Sequence, residues 1–158
     1  MNGNRDFKDL LRAFSKGRVR YLIVGAYAVI YHTEPRYTKD IDIWVDPSPE
    51  NARRVFKALA RYGAPLAGVT EADFADPRIV YQIGIQPNRV DLIMGLTGLR
   101  FAKAWGRRAR GVYDGLRVNV LGLEDLLANK RKVGRPMDEL DARALAAVRS
   151  RHRGKKRR

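Results

Sequence analysis

The sequence predicts an α/β (α+β) protein with a mixed β-sheet flanked by helices and a C-terminal helical pair. Short β-branched runs alternate along the chain with segments whose apolar residues have helical spacing. No internal repeat or long linker separates these segments. The chain has 158 residues, of which 45% are hydrophobic, which is enough for one ordinary core. We therefore predict a single domain over residues 1–148 and a disordered basic tail over residues 149–158.

Local sequence patterns predict the helices and strands in the first half of the sequence. Apolar residues at positions 7, 10, 11 and 14 have the spacing of one helix face, and Ser48 followed by Pro49 is a typical helix start. The dipeptide Glu34-Pro35 ends a helical segment, because a residue before proline avoids the α region. The predicted elements are a helix ending at Gly17, a strand over 20–24, a helix over 26–32, a strand over 40–45 and a helix from Ser48 to Gly63.

The second half of the sequence is predicted to contain more strands, followed by two helices. Apolar runs over 79–85 and 89–94 surround Gln86-Pro87-Asn88, which indicates a hairpin. Residues 117–121 form another predicted strand. Helices are expected over 124–132 and from Pro136 to about Val148, with Gly134 between them.

Composition restricts the chemistry that the protein can use. There is no cysteine and there are only two histidines, which excludes disulfides, thiolate metal sites and a thiol nucleophile. A bound metal must therefore be held by oxygen, which favours Mg²⁺ or Mn²⁺. The longest apolar stretch, Tyr21 to Tyr31, is too short to span a membrane, and the first residues lack a signal-peptide pattern. We expect a cytoplasmic protein without a membrane partner.

The charge is strongly positive and unevenly distributed. Lys and Arg total 32 against 17 Asp and Glu, for a net charge of +15. Seven of the basic residues lie in the acid-free tail, which leaves +8 on residues 1–148. Such blocks bind polyanions, although a solubilising or localisation tail is the alternative. The residues expected to contact nucleic acid are Arg107, Arg108, Arg151, Arg153, Lys155 and Lys156.

Three aspartates on predicted strands are candidate metal ligands. Asp40 and Asp42 project from the same face of one strand, because successive side chains alternate. A lone Asp-x-Asp is also common on a solvated sheet face. Asp91 lies among apolar residues on another strand, where a carboxylate should be exposed, paired or ligated. If the two strands are neighbours, the three carboxylates could hold two divalent ions for phosphoryl transfer.

A glycine-containing turn precedes these aspartates. Gly25 and Ala26 lie where a strand turns into a helix, so that backbone N–H groups can approach a phosphate, although tight packing alone would explain small residues there. Arg36, Thr38 and Lys39 follow and supply donors suited to triphosphate oxygens.

Residues 24–45, Val-Gly-Ala-Tyr-Ala through Lys-Asp-Ile-Asp-Ile-Trp-Val, resemble the signature of the DNA polymerase beta nucleotidyltransferase superfamily. The similarity is greatest to small prokaryotic proteins related to the abortive-infection type IV toxins. In this resemblance Gly25 and Ala26 match the glycine pair, with Ala26 replacing the usual second Gly or Ser. Asp40, Asp42 and Asp91 match the three metal carboxylates. Residues 123–141 resemble the C-terminal helical motif, with Lys130, Arg135, Asp138 and Asp141 at its recurring positions.

The resemblance implies a nucleotidyltransferase fold and transfer of NMP from an NTP to a hydroxyl group. It implies two Mg²⁺ (or Mn²⁺) ions on the three aspartates, with Asp91 as a possible general base. Nucleotide contacts would come from Gly25, Ala26, Arg36, Thr38, Lys39 and Lys130. The expected acceptor is RNA, such as tRNA, or a protein side chain. Small molecules such as aminoglycosides are a further possible class of acceptor. A toxin role with an antitoxin-like partner protein is also implied.

Other interpretations remain open from the sequence. The scaffold could be a non-catalytic nucleic-acid-binding module in which Ala26 marks a degenerate nucleotide site. Lys130 could be an exposed helix residue near Glu124 and Asp125. We favour a structural interpretation for Arg135, Asp138 and Asp141. In this interpretation they form an ion-paired helix start that holds the C-terminal helices on the sheet.

Overall fold

A six-stranded mixed sheet forms the centre of the protein. The computed structural model describes residues 4–85 and 87–158. The strands are β1 (Tyr21–Val24), β2 (Asp40–Val45), β3 (Val80–Ile83), β4 (Arg89–Ile93), β5 (Ala109–Tyr113) and β6 (Leu116–Val120). Their order across the sheet is β3-β4-β2-β1-β6-β5. The pairs β2–β4 and β1–β6 are parallel and the others antiparallel.

Six α-helices cover this sheet. They are α1 (Arg5–Lys16), α2 (Gly25–His32), α3 (Pro49–Tyr62), α4 (Phe101–Gly106), α5 (Leu123–Val133) and α6 (Pro136–Lys156), with a 3-10 helix over Glu71–Ala75. Helices α1 and α3 pack on each other, whereas α5 and α6 pack together and both contact α2. The predicted mixed sheet, its flanking helices and its C-terminal helical pair are confirmed.

The structure contains the helices and strands that were predicted in the first half of the sequence. The four apolar residues of α1 are all buried, and Gly17 caps the end of the helix. The Ser48 side chain accepts a hydrogen bond from the Asn51 N–H, which satisfies a free donor of the first turn of α3. Gly63 ends α3 in the left-handed conformation, which glycine adopts without a steric cost.

A hairpin near the far edge of the sheet was not predicted. Strand β5 pairs with β6 through a turn at Asp114 and Gly115, whose φ values are 47° and 80°. Two positive φ values are typical of the tight turn that joins hairpin strands. The arginines around β5 obscured its alternation, because an exposed edge strand needs only every second residue to be apolar. In the predicted hairpin between β3 and β4, Gln86 lies outside the described residues.

The tail is helical where disorder was expected. Helix α6 continues from Pro136 to Lys156, through most of the basic segment 149–158. Ala142, Leu145 and Val148 are buried and fix the first half of this helix. Arg and Lys are good helix formers, and positive charge is favourable at a helix C-terminus, so the helix extends beyond its packed part. The predicted boundary at residue 148 is therefore not the end of α6.

None of the helices described by the structure combines the length and apolar character that crossing a bilayer requires.

Candidate active site

Strands β2 and β4 bring the three candidate metal ligands together. Asp42 and Asp91 are partners in the parallel register of these strands, and Asp40 is the partner of Arg89. Because Asp40 and Asp42, like Arg89 and Asp91, are two residues apart on a strand, all four side chains share one face of the sheet. We call these four residues the carboxylate cluster.

Arg89 bridges two of the carboxylates. Its Nη2 atom lies 3.0 Å from Asp40 Oδ2, and its Nε atom lies 3.1 Å from Asp91 Oδ1. The side chains are partly buried, with exposed fractions of 30% for Arg89, 24% for Asp40 and 16% for Asp91. A single guanidinium thus pairs with two of the three aspartates.

Asp42 lies against the start of helix α2. Gly25, the first residue of that helix, has a φ of +63°, and a Cβ atom there would collide with the Asp42 carboxylate. Gly25 is therefore required both by its backbone conformation and by the close approach of Asp42. Val24, which precedes α2, gives no side-chain hydrogen bond to the first turn. The N–H groups of that turn lie beside the carboxylate cluster.

The electrostatics of the cluster disfavour a fully charged Asp42. Burial, followed by the charges of Asp91 and Asp40, raises the pKa of Asp42 to about 6. Lys130 and Arg89 oppose this rise but do not cancel it. The cluster therefore has more negative charge than its neighbouring cations neutralise.

The donor set suits a hard divalent cation, although the carboxylates are held by Arg89. Among the described residues, no group of three or more His, Cys, Asp or Glu side chains is arranged closely enough to hold a metal. The three aspartates nevertheless share one face, and carboxylate oxygens are the ligands that Mg²⁺ and Mn²⁺ prefer. The pKa of Asp42, raised by burial and then by Asp91 and Asp40, also shows that this carboxylate lacks sufficient compensating positive charge. The chemistry of these donors therefore fits such an ion.

A second set of charges lies where helices α5 and α6 meet. Lys130 Nζ is 3.2 Å from both Asp138 Oδ1 and Asp141 Oδ2. Arg135 Nε donates to Asp138 Oδ2 at 2.8 Å, and Arg36 Nη1 donates to Asp141 Oδ1 at 2.7 Å. We call these five residues the helix-junction cluster. The predicted ion-paired helix start is confirmed.

Two predicted nucleotide contacts belong to this second cluster. Lys130 is 8% exposed, so the alternative of an exposed helix residue is wrong. Its charge still acts on Asp42, which makes it a neighbour of the carboxylate cluster. Arg36 is exposed but joins Asp141 to the loop before β2. Arg36 thus connects α6 to the loop before β2, and Lys130 acts on Asp42 only through its charge.

Two other predicted nucleotide contacts precede β2. The Thr38 hydroxyl is 3.4 Å from the Asp40 carbonyl oxygen, and Lys39 is exposed. Gly25 and Ala26 are half-buried in the first turn of α2. Thr38 and Lys39 lead directly into β2, and Gly25 lies against the Asp42 carboxylate.

The predicted nucleic-acid contacts fall into two groups. Arg107 forms two hydrogen bonds with Asp125, at 2.8 and 3.0 Å, and the Arg108 guanidinium lies 3.8 Å from the centre of the Trp105 ring. Both arginines lie near β5, and strands β1 and β6 separate β5 from β2. The second group is exposed on the last turns of α6 and consists of Arg151, Arg153, Lys155 and Lys156.

An open cavity of about 950 Å³ is lined partly by residues that are close in sequence to the carboxylate cluster. Three tyrosines line it, Tyr27, Tyr31 and Tyr37, together with Thr38, next to Lys39 and Asp40, and Asn88, next to Arg89. The described lining includes Arg36 but no Asp or Glu. The cavity is therefore aromatic and lacks negative charge.

Sequence reasoning missed Arg89 and the tyrosine-lined cavity. The signal for Arg89 was present, because it is two residues before Asp91 on a predicted strand and must share its face. The tyrosines come from a helix and a loop whose approach depends on tertiary structure, so no local pattern marks them.

The comparisons with known proteins identify the fold. No protein-family model matches the sequence, and no curated protein sequence gives a significant match. Among solved structures, the chain is similar to the lincosamide antibiotic adenylyltransferase LnuA bound to lincomycin, with a TM-score of 0.60 and 13% identity over 93% of this chain and 98% of that one. It is also similar to TM1012 of Thermotoga maritima, described as a nucleotidyltransferase, with a TM-score of 0.61 and 14% identity over 88% and 89%.

A third similar structure is the antibiotic-resistance factor ANT(2'')-Ia, with a TM-score of 0.60 and 14% identity over 96% of this chain and 91% of that one. A complex of ANT(2'')-Ia with adenylyl-2''-tobramycin matches with a TM-score of 0.54. The chain therefore has the fold of the DNA polymerase beta-like nucleotidyltransferases, and the predicted resemblance is confirmed at the level of the fold.

Proposed function

We propose that this protein is a metal-dependent nucleotidyltransferase that transfers NMP from an NTP to a hydroxyl acceptor and releases pyrophosphate. The observation that carries this proposal is the pairing of Asp42 with Asp91 on neighbouring parallel strands, with Asp40 on the same face. The nucleotidyltransferase fold of the chain supports it. Three partly buried carboxylates on one face repel each other, and this arrangement is costly unless the site binds a cation.

In this proposal Asp40, Asp42 and Asp91 hold two Mg²⁺ or Mn²⁺ ions. Such ions offset charge on the reacting phosphate and activate the acceptor hydroxyl. The backbone N–H groups of Gly25 and Ala26, at the start of α2, bind triphosphate oxygens with help from the helix dipole. The replacement of a second Gly or Ser by Ala26 leaves these N–H groups in place.

The reaction exchanges one phosphorus–oxygen bond for another. The acceptor oxygen bonds to the α-phosphorus, and the bond from that phosphorus to the oxygen bridging to the β-phosphate breaks. The acceptor proton passes to Asp91, and the electron pair of the broken bond leaves with pyrophosphate. Lys39 and Thr38 lie on the loop into β2 and contact the phosphates, while Arg36 and Lys130 add positive charge from the helix-junction cluster.

The acceptor that we propose is RNA. The net charge of +15 and the exposed cations on the last turns of α6 favour a polyanion. The tyrosine-lined cavity has aromatic side chains on which a terminal base can stack. An aminoglycoside carries several positive charges, and the carboxylate-free lining of this cavity disfavours it. A neutral small molecule or a protein hydroxyl is an alternative outcome of the test below.

A transfer assay tests the function and the acceptor together. The protein is incubated with each α-³²P-labelled NTP, Mn²⁺ and either total RNA, a protein extract or a mixture of small hydroxyl compounds. We expect label in RNA and a loss of about a thousandfold or more with Asp42→Asn, because a metal ligand is removed. Asp114→Asn is the matched control, since Asp114 is exposed and Asn tolerates its positive φ. Equal labelling by wild type and Asp42→Asn would refute the proposed site.

The salt dependence of RNA binding tests the contribution of α6. The variant replaces four cations of α6 by Gln: Arg151, Arg153, Lys155 and Lys156. With single-stranded RNA, the slope of log K against log salt should become shallower by about 3. The control carries the same loss of charge on α3, at Arg53, Arg54, Lys57 and Arg61. Equal slopes in both variants would remove α6 from the interface. RNA binding without any nucleotide or metal binding would support the non-catalytic module.

We further propose a toxin role in the cytoplasm, where modification of tRNA would stop translation and an antitoxin-like partner would restrain it. The support is the resemblance of residues 24–45 and 123–141 to the toxin-related nucleotidyltransferases. Induced expression in a bacterial host should arrest growth with the wild type and not with Asp42→Asn at equal protein levels. Normal growth with the wild type would oppose this role without affecting the proposed chemistry.

A further inference from the structure

Arg89 is a cation within a site built from carboxylates. Its guanidinium contacts Asp40 Oδ2 at 3.0 Å and both Asp91 oxygens, Oδ1 at 3.1 Å and Oδ2 at 3.4 Å. The register of β2 and β4 fixes this arrangement, because Asp40 and Arg89 are direct partners and Asp91 is two residues further along the same face. The ion pairs therefore follow from the sheet itself.

A divalent ion and the Arg89 guanidinium compete for the same two carboxylates. Asp40 Oδ2 and Asp91 Oδ2 accept hydrogen bonds from Arg89 Nη2, and Asp91 Oδ1 forms an ion pair with Arg89 Nε at 3.1 Å. Arginine does not lose its proton in proteins, so it cannot yield its place by becoming neutral. Two cations in a partly buried site also repel each other strongly. The side chain is 30% exposed, which leaves it a path towards solvent.

We propose that Arg89 is a positioning residue that holds Asp40 and Asp91 in the metal-free protein and is displaced when a divalent ion binds. This inference rests on the proposed function, because it requires a metal at the three aspartates. Arg89 keeps the carboxylates together on the sheet in the absence of metal. The same contacts weaken metal affinity, since both ion pairs must break before the ion is fully coordinated.

Calorimetric titration of Mn²⁺ into the full chain without nucleotide tests this inference. Arg89→Met keeps an unbranched chain that reaches the position of the arginine Nε and removes the charge, and we expect its dissociation constant for Mn²⁺ to fall about tenfold. Arg78→Met is the matched control: it also removes one positive charge and one Arg–Asp pair, formed with Asp76 at 2.8 Å on the surface. Its dissociation constant should stay within about twofold of the wild type.

A second measurement covers the case in which Arg89→Met does not fold. In the ¹⁵N-labelled wild type, Mg²⁺ should shift the Arg89 Nε–H resonance, assigned by its absence in Arg89→Lys, while the Arg78 resonance stays unchanged. An unmoved Arg89 signal at saturating Mg²⁺, or Mn²⁺ affinity that Arg89→Met leaves equal or weaker, would overturn this inference alone. Failure of every variant and of the wild type to bind Mn²⁺ would overturn the proposed metal site as well.

Discussion

The carboxylate cluster and the helix-junction cluster contain the same kinds of side chain but differ in charge balance. The first has three aspartates and one arginine, whereas the second has two aspartates and three cations. Burial and neighbouring carboxylates raise the pKa of Asp42 to about 6. Burial also acts to raise the pKa of Asp138, but hydrogen bonds from Arg135 and Lys130 outweigh it and hold that pKa below its usual value.

This difference separates a structural network from a candidate site. In the helix-junction cluster both carboxylates are paired with cations, so the ion pairs can hold α5, α6 and the loop before β2 together. The carboxylate cluster has three aspartates and one arginine, although the protein as a whole carries a net charge of +15. We infer that the helix-junction cluster stabilises the fold, and in our proposal the carboxylate cluster binds a cation.

The largest effect on stability is expected at the helix-junction cluster. Lys130→Met leaves Asp138 and Asp141 partly uncompensated in a buried place and should cost about 3–5 kcal/mol of unfolding free energy. For a chain of this size the melting temperature should fall by roughly 10 °C, measured by circular dichroism. Arg54→Met, which breaks an exposed pair with Glu50, should cost less than about 1 kcal/mol. Similar losses in both variants would mean that the cluster has no special structural role.

Gly25→Ala should damage the carboxylate cluster more than a positive φ alone explains. Gly25 and Gly63 both have positive φ values, 63° and 91°, but only the Cβ at Gly25 would meet another group, the Asp42 carboxylate. We expect Gly63→Ala to cost about 1–2 kcal/mol from backbone strain, and Gly25→Ala to cost more and to weaken Mn²⁺ binding. Urea unfolding and Mn²⁺ titration measure the two effects. Unchanged Mn²⁺ affinity in Gly25→Ala would separate this turn from the site.

The pH dependence of the metal-free protein should expose the raised pKa of Asp42. A carboxyl group whose pKa rises on folding, from 3.8 to about 6, makes the folded state less stable as pH increases through that window. Asp42→Asn removes this penalty, so its stability relative to the wild type should grow between about pH 4 and pH 6, by about 1–2 kcal/mol, and stay level above. Chemical unfolding across this range in a chelating buffer measures it. A constant difference at every pH would contradict the shifted Asp42.

Most of the carboxylate cluster could be predicted because its geometry is set by short-range rules. Alternation on a strand places Asp40 with Asp42, and the Gly25 turn is visible as a strand followed by small residues. The adjacency of β4 to β2 was an assumption that the sheet order bears out. The position of Arg89 could have been predicted by applying the same alternation rule to a basic residue.

The helix-junction cluster could be predicted only in part. The pair of Arg135 with Asp138 is three residues apart and local, but Arg36 meets Asp141 across 105 positions of sequence. Donors suited to phosphate and donors suited to an internal carboxylate are chemically the same, so the sequence could not assign Arg36. The helical tail escaped prediction for a related reason, because its order depends on how the first half of α6 is packed.

The contrast between the two clusters is tested most directly by the change in melting temperature that Mn²⁺ causes in the wild type and in two variants. Mn²⁺ binds the folded state in our account, so it should raise the melting temperature of the wild type by several degrees. Asp141→Asn, in the helix-junction cluster, should start from a lower melting temperature and show the same rise. Asp42→Asn should show no rise. A rise that survives in Asp42→Asn, or that disappears in Asp141→Asn, would contradict the assignment of the metal site to the carboxylate cluster.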